Sequence, residues 1–451
     1  MRTLYNILFA LGFCLSAPYY FWKMLRRGNW QRGFRQRFGR YSVRLKHALT
    51  NRHVLWLHAV SVGEVNLCTQ LIRALEARAP NLKVVVTTTT TTGMGELYKR
   101  LPAHIEKLYA PVDFPGSVRR AIAILHPQAV VLVEAEVWPN FLWKLHDRRI
   151  PVFLVNARLS ERSYRGYKRF AFLFRPLFAG FTGVGAQNEA DAARLRELGC
   201  RPEAVQVVGS LKFDTAKVDE RRALDVPAML RQLGVAEGAM LLVAGSTHRG
   251  EEAVLADIFL RLRQRFPGLF LVLVPRHFER GKEVGRELEV RGVKFIYRTE
   301  VTASTQLAPG RVQCLLVNTT GELKYFYEQA TVVFVGKSLL GQGGQNPIEP
   351  GYLGKAMVFG PHMENFAAVA ESFASGHGAV QVKDAADLER ALGELLADEG
   401  RRAELGRNAR AVVKANTGAI QRTLDMILAH LADSKTYVMP DQSPPAGAAG
   451  N

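Results

Sequence analysis

Apolar and polar positions follow three patterns along this chain. From Leu4 to Trp22 the run LYNILFALGFCLSAPYYFW is almost continuously apolar. From residue 53 to about residue 383, short β-branched runs alternate with longer segments whose apolar residues keep helical spacing. From Asp433 onward, DSKTYVMPDQSPPAGAAGN has neither pattern, which predicts a disordered tail over 433–451. The middle pattern predicts strands at 53–60, 83–89, 129–134, 151–156, 183–186 and 205–209. A second set follows at 240–245, 269–275, 294–298, 312–318, 332–336, 356–360 and 379–382. Runs such as VVLV and LLVA are apolar at consecutive positions, as strands covered on both faces of a parallel sheet must be. Strand–helix alternation over this length predicts an α/β protein with doubly wound sheets. The pattern pauses over the polar stretch 213–235, which predicts a linker between two Rossmann-like halves facing a cleft. The predicted organisation is an apolar segment at 1–22, a basic segment at 23–52, a first half at 53–212, the linker, a second half at 236–432 and the tail. Ligands of such sheets sit at the carboxyl ends of strands, so the residues that follow strands are the informative ones.

Composition narrows the classes. The 451 residues suffice for two or three domains, and 48% hydrophobic with 22% charged residues excludes a mostly disordered chain. Cys14, Cys68, Cys200 and Cys314 stand far apart without a C-x-x-C pair. Neither a zinc site nor a disulfide framework is indicated, and a reducing compartment fits. The net charge is +19, and its placement matters more than its size. The first acid is Glu64, and eleven basic residues precede it, from Arg2 to Arg52. That local excess suits an anionic surface, while the body lacks the dense basic stripe of a nucleic-acid binder.

The charge gives the apolar run an orientation. Nineteen residues of helix rise about 28 Å, close to the hydrocarbon thickness of a bilayer at about 30 Å. Tyr19, Tyr20 and Trp22 resemble an aromatic belt, and the basic collar after them keeps the body on the cytoplasmic side of a spanning anchor. A cleaved signal would carry its charge before the run rather than after it. A helix lying in the interface stays open as an alternative, because Pro18 and the short span suit it. Trp30, Phe34 and Phe38, at i, i+4 and i+8, would share a helical face among Arg32, Arg35 and Arg37. Such a face rests either on headgroups or on the first domain.

Residues for chemistry follow the predicted strands. Ser61-Val62-Gly63-Glu64 opens a helix in which Val65, Cys68, Leu71, Ile72 and Leu75 keep helical spacing. As structure alone, S-x-x-E is a capping box; as chemistry, a carboxylate at a helix start beside a strand end can act as a base. The threonine run 87–92 suits a strand end and an N-cap. Glu134 and Glu136 in EAEVWPN follow the third predicted strand, as substrate contacts or as a surface loop. In the second half GSTHRGEE, Pro275-Arg276-His277, Thr320-Gly321-Glu322 and the glycine-rich stretch through Asn346-Pro347-Ile348-Glu349 all follow strands. Four such loops at one sheet edge suggest a nucleotide site, with Arg276 for a phosphate and Glu349 for ribose hydroxyls. No dinucleotide fingerprint, P-loop, GxSxG or HExxH is present, and no metal-ligand cluster appears.

Taken in order, HAVSVGE, TTTTTTG, YAPVDFP, VEAEVWPN, VNARLSERSYRGY, VGSLKFD, AGSTHRGEE, VPRHFERG, NTTGELKYFY, VGKSLLGQGGQNPIEP and GPHMENF resemble the 3-deoxy-D-manno-octulosonic acid (Kdo) transferases of lipopolysaccharide synthesis. The resemblance covers about residues 53–366 and the N-terminal anchor. It implies a GT-B fold, with an acceptor domain at 53–212 and a donor domain at 236–432. It also implies an inner-membrane enzyme, single-pass or interfacial, with its body in the cytoplasm. The implied reaction moves Kdo from CMP-Kdo to a lipid A precursor (lipid IVA), without cofactor or metal and with inversion. By the same resemblance Glu64 is the general base. The CMP pocket falls on Pro275, Arg276, Thr320, Gly321, Glu322, Asn346, Pro347, Ile348 and Glu349; Thr320 stands where the family often has Met. Arg158 and Lys212, with Glu134 and Glu136, are candidates for contacts to acceptor or Kdo. The implied partners are CMP-Kdo, an anionic lipid A precursor and inner-membrane lipids, with no nucleic acid. Two alternatives are another nucleotide-sugar transferase or epimerase, and a non-catalytic membrane tether.

Overall fold

The computed structural model describes residues 1–26, 31, 33–49, 54–134, 137–216 and 224–431. Trp30, Arg32, Glu136, residues 217–223 of the expected linker and the tail 433–451 lie outside them. The chain forms two compact units. The first comprises Met1–Thr215 and the helix Ala419–Leu431, and the second is Ala216–Thr417.

Among the described residues the first unit holds β1 (Val54–His58), β2 (Lys83–Thr88), β3 (Glu106–Tyr109), β4 (Pro127–Val133), β5 (Val152–Ala157), β6 (Gly183–Ala186) and β7 (Val205–Val207). They pair in parallel in the order β3-β2-β1-β4-β5-β6-β7. The strand β1 shows why. In VLWLH, Val54 and Trp56 enter one core while Leu55 and Leu57 enter another, so both faces of the sheet need cover. The helices Pro115–Leu125 and Pro139–Asp147 cover one face, and Val62–Arg78 and Ala419–Leu431 the other. Pro115 and Pro139 sit at the first helical positions, where a missing N–H has no intrahelical partner to lose.

The second unit repeats the plan. Its strands are β8 (Leu241–Thr247), β9 (Phe270–Pro275), β10 (Phe295–Tyr297), β11 (Cys314–Leu316), β12 (Val332–Val335), β13 (Met357–Phe359) and β14 (Val380–Gln381). Their order is β10-β11-β9-β8-β12-β13-β14, again parallel. Strand order reverses between β1 and β4 in one sheet and between β8 and β12 in the other. These are the switch points beside which α/β sheets bind ligands.

Every predicted segment contains a strand, and the structure adds β3, an edge strand of sequence EKLY whose charges hid it. The segment 213–235 does more than link. Phe213 is buried in the first unit, and the helix Val226–Gln232 buries Val226, Met229 and Leu230 in the second. The C-terminal helix also departs from the expected 236–432 grouping, because it packs on the first sheet. Leu424, Ile427, Leu428 and Leu431 join that sheet's core, and the Asp214 carboxylate accepts from the Gly418 and Ile420 amides at 2.6 Å each.

The N-terminal helix Arg2–Arg26 runs unbroken through Pro18, and its Arg2–Lys23 stretch is long and apolar enough to cross a membrane by length and composition. One side nevertheless binds the first unit. Arg2 forms a two-pronged ion pair with Asp147 at 2.9 Å, the Tyr5 hydroxyl donates to Asp113 at 2.9 Å, and the Asn140 side-chain amide donates to Asn6 at 2.7 Å. Phe9 and Phe13 pack edge-on against Phe114. Leu4, Ile7, Leu11 and Leu15 are exposed. Of the expected aromatic face, Phe34 and Phe38 do meet, with ring centroids 5.4 Å apart. Phe34 precedes and Phe38 ends a short 3₁₀ turn, Arg35–Phe38, rather than lying on a longer helix, and Arg37 donates to the Thr89 carbonyl at 2.7 Å.

Candidate active site

Glu64 lies in the first turn of the helix after β1, and the capping box is formed. The Ser61 hydroxyl accepts from the Glu64 amide at 3.2 Å, and Glu64 Oε1 accepts from the Ser61 amide at 3.3 Å. A further bond, from the Val60 amide to Oε2 at 2.7 Å, engages the second oxygen. The carboxyl is 7% exposed, so desolvation raises its pKa and the nearby Glu134 charge adds to the rise, while the Val60 and Ser61 hydrogen bonds oppose it. Each oxygen keeps a lone pair for a proton. The carboxylate is therefore a formed helix cap that can also accept a proton.

The threonine run supports this corner. Thr88 and Thr90 donate to the Val60 carbonyl at 3.3 and 3.0 Å, and Thr90 caps the next helix. A Cβ at Gly93 would stand 2.6 Å from the Thr88 hydroxyl, so only glycine lets the helix approach so closely. Burial pushes the His58 imidazole, paired with Thr87, down to about 4, so the ring is neutral near pH 7.

Glu134 follows β4, across the switch point from β1. Its backbone is left-handed, at φ 61°, and its carboxylate meets Arg158 at 3.5 Å and the Asn156 amide at 3.4 Å. Lys212, after β7, feels the charges of Glu134, Arg158 and Glu64. Burial lowers its pKa, Glu134 and Glu64 oppose that, and Arg158 reinforces it. Glu64, Glu134, Arg158 and Lys212 thus converge at one sheet edge, whereas Glu136 lies outside the described residues. Asn156, which holds Glu134 and the turn after β7, carries no signal in its spacing. Buried at φ 52°, it accepts from the Leu211 amide at 3.1 Å and, through its own carbonyl, from Gln187 at 3.0 Å.

In the second unit, Arg276 follows β9, its amide donating to the Thr247 carbonyl at 3.0 Å and its side chain exposed. Glu349 opens the helix Ile348–Tyr352. Burial raises its pKa against the opposing hydrogen bond from Asn346 and the charges of Lys324 and Arg276. The structure therefore brings Arg276 and Glu349 into electrostatic range, with Pro347 and Ile348 beside them. Thr320 and Gly321 are exposed on the neighbouring loop. Glu322 is already engaged, by Arg298 at 3.1 Å and by the Thr319 hydroxyl at 2.5 Å, so it holds its turn rather than presenting a free carboxylate.

Glu251 escaped the sequence reading. Fully buried, its carboxylate accepts from the amides of His248, Lys337, Ser338 and Leu339 at 2.7–2.9 Å. It ties the loop after β8 to the glycine-rich loop after β12. At Gly336 a Cβ would stand 2.5 Å from the Ser246 carbonyl, which shows how closely the two loops pass. Neighbouring Glu252, equally buried, holds Arg280 at 2.7 Å and the Thr247 hydroxyl at 3.1 Å. The only advance signal was the pair of acids in GSTHRGEE.

Comparison with known proteins gives the family. The family model described as 3-deoxy-D-manno-octulosonic-acid transferase (kdotransferase) matches residues 32–215. A 3-deoxy-D-manno-octulosonic acid transferase of Haemophilus influenzae is 33% identical over 379 residues, 84% of this chain and 87% of the relative. That of Bordetella pertussis is 34% identical over 417 residues, 90% of this chain and 94% of the relative. Among solved structures, a putative UDP-N-acetylglucosamine 2-epimerase from Listeria monocytogenes covers 86% of this chain and 98% of its own at a TM-score of 0.59, with 13% identity. That likeness shows the α/β GT-B fold alone. A third of residues identical over nearly the full length of two transferases, with the family model spanning the unit that carries Glu64, establishes that the chain belongs to the 3-deoxy-D-manno-octulosonic acid transferase family and is a glycosyltransferase.

Proposed function

We propose that this protein transfers Kdo from CMP-Kdo to a lipid A precursor (lipid IVA), with inversion, at the cytoplasmic face of the inner membrane. The observation that carries the mechanism is the convergence of Glu64, Glu134, Arg158 and Lys212 where the first sheet reverses its strand order. Glu64 takes the proton of an acceptor sugar hydroxyl as its oxygen attacks the anomeric carbon of Kdo. The bond from that carbon to the phosphate oxygen breaks, and CMP leaves with the electron pair. Lys212 and Arg158 face the Kdo carboxylate or the acceptor phosphates, where a cation is worth most in a partly desolvated place.

The donor pocket is assigned to Arg276, Asn346-Pro347-Ile348-Glu349 and the Thr320-Gly321 turn, with Glu322 as that turn's internal brace. Arg276 meets the CMP phosphate, and Glu349, with basicity raised by burial, accepts from ribose hydroxyls. The N-terminal helix and the basic segment after it hold the enzyme at an anionic membrane, which suits an anionic lipid acceptor.

Incubating the purified full-length protein with CMP-Kdo and a lipid A precursor, followed by mass spectrometry, tests the reading. The expected product is heavier by one or more Kdo residues, with CMP released in step. A folded protein that transfers sugar from a UDP donor and leaves CMP-Kdo intact sinks it.

A further inference from the structure

The N-terminal helix does more than lie against the body. Together with the rest of the first unit it borders an open, mostly apolar groove of about 1200 Å³. Phe9, Phe13 and Phe21 line it from the helix, and Phe34, Phe38 and Phe141 line it from the body. The space is large for a small-molecule pocket, which is typically about 300–1,000 Å³. It follows the helix from Leu8 to Phe21, about 20 Å of rise, comparable with the roughly 15 Å of hydrocarbon in one leaflet.

The polar residues of the lining are Thr89, Thr90, Thr91 and His58, the cations Lys23 and Arg37, and the buried carboxylate of Asp113. From there the Thr90 hydroxyl bonds the Val60 carbonyl, and the Val60 amide bonds Glu64. Arg37 is packed over Tyr109 with its guanidinium 4.2 Å from the ring centroid, yet its buried Nε–H has no hydrogen-bond partner among the described residues. Arg37 and Lys23 bring cationic side chains to the lining of an apolar groove, which fits a ligand with an apolar tail and an anionic head.

The helix's polar contacts say where such a ligand enters. A helix crossing the bilayer with the body at its Lys23 end would carry Arg2 to the far side, about 30 Å away. Arg2, Tyr5 and Asn6 are instead bonded to Asp147, Asp113 and Asn140 of the body. With those contacts made, the exposed leucines and isoleucine of the other face are free to enter one leaflet from the side.

Resting on the reading of the protein as a Kdo transferase with a lipid acceptor, we propose that the N-terminal helix lies along the membrane surface rather than across it. In that position it roofs a groove that takes one acyl chain of the acceptor glycolipid and so delivers the head group to Glu64. Other lipids of the leaflet share the chain but not the sugar-phosphate head that Arg37 and Lys23 select.

Two measurements on the full-length protein in phospholipid vesicles test this. The first uses an acceptor analogue with a photoreactive group at an acyl terminus, which labels without turnover. Labelling should fall on Phe9 or Phe13, and unlabelled acceptor should compete it away. The second uses Gly12→Trp. Gly12 lines the groove and a Cβ there meets nothing within 4 Å, so the backbone accepts a side chain at the position from which the groove can be filled. The ratio of kcat/KM for the acylated acceptor to that for its deacylated form should fall about tenfold, in the range by which filling an apolar pocket discriminates. An unchanged ratio, labelling elsewhere, or equal labelling by a photoreactive phospholipid overturns the acyl groove. Labelling in the groove by a protein that transfers Kdo to neither acceptor supports the groove and overturns the transferase reading on which its purpose rests.

Discussion

Glu64 is bonded as a cap and placed as a base, and the two roles respond differently to one substitution. Both carboxylate oxygens accept backbone N–H groups, so Glu64→Gln keeps one acceptor and turns an NH₂ towards the other amide. The lost bond costs about 0.5–1.5 kcal/mol, and removing a buried charge offsets part of it. The melting temperature should therefore stay within about 4 °C of the parent. Turnover should fall by about 10²–10⁴-fold, because an amide cannot take the acceptor's proton. The raised pKa adds a pH signature. Activity of the parent should be lost as pH drops through the folded value, and that limb should lie above about 4.3, where an ordinary glutamate titrates. The stability linkage runs the other way: the folded state holds this proton more tightly than the unfolded chain, so the Glu64 contribution declines as pH rises through that window. A Gln variant that transfers at the parental rate reduces Glu64 to a cap, and Glu134 becomes the acid to test. Glu64 was legible because S-x-x-E is a local motif. Asn156 was not, since its partners stand 22, 31 and 55 residues away and only the folded sheet brings them together.

Between elements, the same contrast of local and distant signals decides what the sequence disclosed. The central strands were readable because burial on both faces demands consecutive apolar residues, whereas β3 at the edge tolerates Glu106 and Lys107 and so reads as loop. The C-terminal helix kept its helical pattern, but nothing in that pattern says which sheet it covers. Its cap by Asp214 spans about two hundred residues of chain. The donor-side loops were found one at a time, while the brace that unites them, Glu251, was not, because its backbone partners include amides 86–88 residues away that no side-chain pattern marks. Replacing Glu251 by Gln leaves one oxygen to serve four amides. Charge-assisted bonds of this kind are worth about 1.5–3 kcal/mol each, so the two loops should part well before the unit unfolds. Hydrogen exchange read by mass spectrometry should show protection of Lys337, Ser338 and Leu339 falling at least about tenfold, the equivalent of 1.4 kcal/mol, with the strands β8 and β9 little changed. Parental protection across that loop would mean the glycine-rich segment holds its shape without the carboxylate.

For the molecule as a whole, the question is how far the N-terminal helix is a separable anchor. Its apolar outer face and the eleven basic residues before Glu64 argue that removing residues 1–22 shifts the protein towards the soluble fraction, with weak, salt-sensitive membrane binding left to the basic segment. The first unit's sheet and both its cores are built almost entirely without the helix, so the truncated protein should fold and retain some transfer, with the preference for an acylated over a deacylated acceptor lost. The helix is nonetheless wired to one titrating group in the body. Asp113 is 2% exposed, and burial pushes its carboxyl up to about 6 although the Asn140 and Phe141 amides and the Tyr5 hydroxyl all donate to it. An acid with a raised folded pKa binds its proton more tightly in the folded state, so its contribution to stability falls as pH climbs from about 3.8 to about 6. Without the helix, water reaches Asp113 and its pKa returns towards the ordinary value, which flattens that decline. Melting temperatures of the full-length and truncated proteins, taken in the same detergent at intervals from about pH 4 to pH 7, should therefore converge as pH rises rather than run parallel. Parallel curves would mean that the helix leaves Asp113 untouched and is only a tether.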